Sequence, residues 1–174
     1  MKRTAVVGLS TLLVGMIAVS AYGQGGSRGI SKLTLKGKTV SVEYGRPSLK
    51  GGTIDDRISQ LKAGDFWRLG ANKSTTFTTG VALAFGDVTV PAGEYSLWMQ
   101  RQEDNSWKLV FNKQHGQWGT DHDPSQDFAS VPLTASQASQ SVDLVTITLA
   151  KKGAGGTITV TWGTMVQSAE FTAK

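Results

Sequence analysis

The side chains best suited to chemistry in this chain are Arg68 and Asn72, which share the run Trp67-Arg68-Leu69-Gly70-Ala71-Asn72. A guanidinium offers a planar fork of N–H donors, and a carboxamide both donates and accepts. Together they suit a carboxylate, a phosphate or a sugar hydroxyl. Arg46 and Lys113 stand at expected strand ends, where a β-sandwich gathers its loops, and Trp67 and Trp118 stand beside them as flat apolar walls. If these six converge, they form a site for a small anionic or carbohydrate ligand. The same residue types also allow the opposite outcome, in which Arg68 and Asn72 are used up on loop carbonyls that need partners when covered.

A second group of chemically capable residues lies in 112–127, which holds both histidines: His115, and the triplet Asp121-His122-Asp123. Imidazoles and carboxylates are ligands for zinc and similar ions. Adjacent residues tend to point apart, however, and no His-Glu-x-x-His spacing occurs. An aspartate before Pro124 is also expected simply to set a turn, so no metal site is assigned and no cofactor is implied. Nor is a catalytic residue assigned. There is no Gly-x-Ser-x-Gly elbow. The acidic candidates Glu94, Glu103 and Asp104 fall in expected turns, which leaves them and Glu170 as uncommitted carboxylates. Whether the chain is an enzyme stays open at this level. Of the five tryptophans, Trp98, Trp107 and Trp162 sit in strand patterns and are expected in the core, with Trp67 and Trp118 nearer the surface.

These residues must be placed by a small exported domain. Met1-Lys2-Arg3, an apolar run broken by Gly8, Ser10, Thr11 and Gly15, and Ala21-Tyr22-Gly23 have the three regions of a secretory signal peptide. The run falls short of the roughly 20 residues needed to span a bilayer, so cleavage after residue 23 is expected, with no membrane span in the mature protein. That leaves 151 of 174 residues, enough for one self-sufficient core. With Lys2 and Arg3 gone, 16 basic residues face 13 acidic ones, a net +3. The basic residues are scattered, so nucleic acid is not an expected partner. The absence of cysteine excludes disulfides, thiolate metal sites, cysteine nucleophiles and lipid attachment at the mature N-terminus.

Residues 24–30 read as a flexible leader, and 31–174 as a single domain. Alternating runs on either side of Lys36-Gly37-Lys38 signal a β-hairpin that ends at Gly45-Arg46-Pro47-Ser48. Residues 53–64 are the one helical candidate: Thr53 can cap, Asp55 and Asp56 favour the positive end, Ile54, Ile58 and Leu61 share a face, and Gly64 suits the stop. Runs at 75–79, 81–85, 87–90, 95–99, 107–111, 142–149, 157–162 and 170–173 read as strands, with 134–141 as a polar linker. No helix alternates with them, so a parallel sheet is excluded. The expectation is an all-β, antiparallel β-sandwich, jelly-roll-like, with one short helix and some nine or ten strands.

Several short runs taken in order carry a family resemblance: Tyr44-Gly45-Arg46-Pro47-Ser48, the 67–72 run with Thr75-Thr76, Pro91-Ala92-Gly93-Glu94-Tyr95-Ser96-Leu97, Phe111-Asn112-Lys113 with Gly116-Gln117-Trp118-Gly119, and Trp162-Gly163. Across nearly the whole mature chain the sequence resembles the secreted bacterial family catalogued as domain of unknown function 2911. The resemblance implies a periplasmic or exported, mostly β domain, and it supplies no catalytic residues. This chain departs from the family's pattern at Lys73, where an acidic residue is common, so a role resting on an acid there does not carry over. The functional expectation is an exported cell-envelope binding or interaction module. A small periplasmic hydrolase and a purely structural envelope protein are the alternatives.

Overall fold

The computed structural model describes residues 18–20 and 27–174. Two antiparallel sheets face each other across one core, as the strand-rich pattern predicts. The first sheet runs β1(Ala18–Ser20)-β2(Arg28–Leu35)-β3(Lys38–Gly45)-β5(Thr76–Thr79)-β8(Gly93–Arg101)-β9(Trp107–Asn112)-β10(Asp127–Pro132), and the short β4(Phe66–Trp67) also pairs with β8. The second runs β11(Thr134–Lys152)-β12(Gly155–Ala173)-β6(Leu83–Phe85)-β7(Val88–Val90). Apart from residues 18–20, the expected signal peptide lies outside the described residues, as do residues 24–26 of the expected leader. Residues 28–30 of that leader are not flexible chain: they ladder with residues 43–45 of β3, and Arg28 Nε donates to Glu43 Oε1 at 2.7 Å.

The hairpin between β2 and β3 follows from its turn. Lys36 and Gly37 have φ of 48° and 71°, the pair of left-handed residues that matches strand twist in a two-residue loop. The helical candidate is shorter than its pattern. Only Ile54–Ile58 is helical (α1), started by a capping box in which Thr53 Oγ1 accepts from the Asp56 amide and the Asp56 carboxylate accepts from the Thr53 amide. Beyond it the Leu61 amide turns back to the Ile58 carbonyl, and Asp65 Oδ2 takes the Lys62 amide. Those local bonds tighten the chain into turns in place of a second helical turn.

The 134–141 linker is corrected to strand. Thr134–Gln137 pairs with Met165–Ser168, making one 19-residue strand that continues, through two register shifts, to Lys152. No alternation marked it because both of its faces are largely exposed, and period two records burial on one face only. Likewise 157–162 and 170–173 are parts of a single strand, β12.

The core is held by aromatic side chains that reach across the gap. Phe111 on the first sheet is fully buried, edge-on to Phe77 at 5.6 Å between centroids and 5.3 Å from Phe85 of the second sheet. Phe85 continues to Phe171 at 5.1 Å. Leu109 and Trp107 join Phe111 on the inner face, as alternation along β9 predicts. Replacing Phe111 with Ala is expected to lower unfolding stability by about 3–5 kcal/mol, whereas Lys108→Ala, on an exposed position of the same strand, should change it by less than about 0.5 kcal/mol. Urea unfolding of both variants checks the contrast, and similar losses in the two would contradict the bridging role of Phe111.

Candidate functional site

The 67–76 run is placed by close backbone contact. Between β4 and β5 the chain makes a tight turn in which Leu69 and Asn72 both take left-handed conformations, φ 56° and 64°. Leu69 is a costly residue to hold there, and its complete burial secures it. The turn is pressed between two glycines. A methyl group at Gly45 would collide with the Ala71 backbone, and one at Gly119 would stand 2.6 Å from the Asn72 carbonyl oxygen. The Thr75 hydroxyl closes the turn by donating to the Leu69 carbonyl at 3.2 Å.

On one side of this turn residues 72–74 meet residues 117–119 as a short antiparallel seam. The Ser74 amide donates to the Gln117 carbonyl at 3.0 Å and the Gly119 amide to the Asn72 carbonyl at 2.7 Å, with Lys73 opposite Trp118. Arg28 reaches the same place, donating to the Lys73 and Ser74 carbonyls at 3.4 and 3.5 Å. Arg68 is half-buried, its Cδ 3.3 Å from where a Gly119 methyl would be. Neither its guanidinium nor the Asn72 carboxamide has a hydrogen-bond partner among the described residues. Trp118 lies 53% exposed on the seam, the one large apolar side chain so placed among the described residues. The segments of this region thus carry the basic residues Arg28, Arg68 and Lys73, of which Arg28 pairs with Glu43.

Of the six candidate residues the fold therefore puts Arg68, Asn72 and Trp118 on the segments that meet at the seam and assigns the other three elsewhere. Arg46 is consumed: its Nε donates to the Val145 carbonyl and Nη2 to Thr146 Oγ1, both at 3.1 Å, tying the end of β3 to β11. Trp67 stacks on Trp162, 5.4 Å between centroids and 9° from parallel, so one face of its ring helps pack the two sheets together. Lys113 holds its ammonium 5.8 Å from the Phe128 ring centroid and is exposed.

The 112–127 segment is pinned over the outer face of the first sheet. Asn112 Nδ2 donates to the Asp123 carbonyl and to Asp127 Oδ1, at 2.8 and 2.7 Å. The Lys113 amide donates to Gln126. Asp123 caps the short 3-10 turn Pro124–Gln126, and hydrogen bonds from the Ser125 hydroxyl and amide hold its carboxyl below the ordinary range. His122 packs between Phe66 and Trp98, centroids 4.3 and 4.4 Å away, while its Nε2 meets Asp127 Oδ1 at 2.9 Å. Trp98 is buried as expected, but under this loop on the outer face, not in the core between the sheets. A serine hydroxyl lies close by, yet Ser96 Oγ accepts from Trp98 Nε1 at 3.0 Å and makes no bond to His122. The histidine–aspartate pair thus clamps the loop. His115 stands apart from it, beside Glu94 at 3.7 Å.

Sequence reasoning missed Arg28, Gln117 and Ser96 as parts of this region. Arg28 was hidden by its glycine-rich surroundings, although one Arg at the start of an alternating run is a signal that could have drawn attention. If the turn depends on the missing methyl at Gly45, Gly45→Ala should cost about 1–3 kcal/mol and shift the amide resonances of residues 69–73. A variant with wild-type urea midpoint and spectrum would show that the turn can move aside freely.

Among the described residues no helix is long and apolar enough to cross a membrane. Comparison with curated proteins and with solved structures returns no match. The family model described as protein of unknown function (DUF2911) matches residues 27–171. That span takes in every motif around the turn and the seam, and the chain belongs to this family.

Proposed function

We propose that the chain is an exported binding module of the cell envelope, and that the seam between 68–73 and 117–119 takes a small anionic ligand with a sugar-like face. The observation that carries this reading is the half-buried Arg68 guanidinium, without a hydrogen-bond partner among the described residues, at a seam that also carries the exposed Trp118. An arginine that served only the loop would donate to loop carbonyls, as Arg46 does. Arg68 instead leaves its planar fork without a partner among the described residues, open to a carboxylate that it can grip in two parallel hydrogen bonds. The Asn72 carboxamide adds a donor and an acceptor for hydroxyls, and an indole face suits the C–H side of a sugar ring. Lys73 and Arg28 add positive potential, so an acidic sugar fits better than a neutral one.

Calorimetric titration with galacturonate, with glucose as the neutral control, tests the site. Saturable binding of galacturonate is expected, weakened about 10- to 100-fold in Arg68→Ala, the loss of a charge-assisted pair, and clearly weakened in Trp118→Ala. No saturation by wild type, or equal affinity in Arg68→Ala, sinks the proposal. Export rests on the basic, apolar and small-residue order of residues 1–23. Expression of the full chain in a Gram-negative host, followed by N-terminal sequencing of the periplasmic fraction, should find a mature start near Gln24; retention of Met1 in the cytoplasm would refute export.

A further inference from the structure

Around the Arg101 end of β8, beside α1, lies a cleft of about 430 Å³. One wall is aliphatic: Ile54 and Ile58 of α1 and Met165 of β12. The other wall carries Arg101, whose Nη2 donates to Asn105 Oδ1 at 2.8 Å and whose guanidinium carbon lies 5.3 Å from the Trp107 ring centroid. Those two contacts fix the guanidinium and leave its remaining N–H groups without partners among the described residues. Gln167 also lines the cleft. It is 5% exposed, and its amide oxygen is buried with no hydrogen-bond partner among the described residues. A buried acceptor left unpaired is costly, so its retention points to a donor that arrives from outside. At the rim, the exposed Asp55 balances Arg101 in charge without pairing with it.

We propose that this cleft binds a short peptide with an aliphatic side chain. Such a ligand presents its carboxylate or a carbonyl to Arg101, an amide N–H to Gln167, its ammonium group towards Asp55, and its side chain to Ile54, Ile58 and Met165. The balanced pair of lining charges favours a zwitterion over an anion. A saccharide fits less well. Trp107, the one aromatic residue of the lining, is 3% exposed with Arg101 over its ring, so no face is left for a sugar to stack on.

The experiment is calorimetric titration of the full chain with alanyl-leucine, with cellobiose as the comparison. Saturable dipeptide binding is expected, weakened about tenfold or more in Gln167→Met, which removes the unpaired acceptor but keeps the side-chain length. The melting temperature of that variant should not fall. Ile58→Glu, at a half-exposed position on the rim, should abolish binding without unfolding the core, and it decides the matter if Gln167→Met folds poorly. Arg68→Ala should bind the dipeptide as wild type does, which separates this cleft from the seam. Failure of alanyl-leucine to saturate, undiminished binding in either cleft variant, or preference for cellobiose overturns the proposal.

Discussion

Close backbone packing around the turn at 69–72 is the constraint on which the rest of this structure depends. Two glycines, Gly45 from the end of β3 and Gly119 from the long loop, let three chain segments approach at distances that any Cβ would forbid. Once they meet, Leu69 is forced into a fully buried, left-handed position, and the 117–119 segment becomes a backbone partner for 72–74. The order of causes matters. Steric permission comes first, the seam follows from it, and the exposure of Trp118 follows from the seam.

The same arrangement explains why the long loop is ordered. A loop of this length in a compact domain is ordinarily either functional or mobile. Here its near end is tied by Asn112 to Asp123 and Asp127, its middle by the seam, and its far end by His122 packed between Phe66 and Trp98. Buried polar groups under it are partly paired, as in the bonds from Trp98 Nε1 and Gln117 Nε2 to Ser96 Oγ. Such a network gives the loop one arrangement where hydrophobic packing alone would allow several. The histidines that suggested metal or acid–base chemistry act in this clamp or stand apart from it, while at the seam the side chains of Arg68 and Asn72 have no hydrogen-bond partner among the described residues and Trp118 is exposed.

Much of the fold was legible because its signals are local. The Lys36-Gly37 turn, the Thr53–Asp56 capping box and the alternation of Trp107, Leu109 and Phe111 each depend on residues a few positions apart. Strand 134–141 was not legible, since neither face of it is buried and its partner lies some 30 residues on. The site was half legible for the same reason. Arg68, Asn72 and Trp118 announce donors and an indole next to glycines, but nothing local told Arg46 apart from Arg68. One is spent on Val145 and Thr146, about 100 positions away, and the other has no hydrogen-bond partner among the described residues.

By itself, then, the sequence determined the all-β class, the hairpins, the capped helical turn, the family and the residue types able to grip an anion, because each rests on short-range sterics, burial period or side-chain chemistry. Only the tertiary structure decided which of those side chains remain available. Availability depends on where distant carbonyls and aromatic rings come to lie, and that is fixed when the two sheets close around Phe111 and the 69–72 turn locks between its glycines.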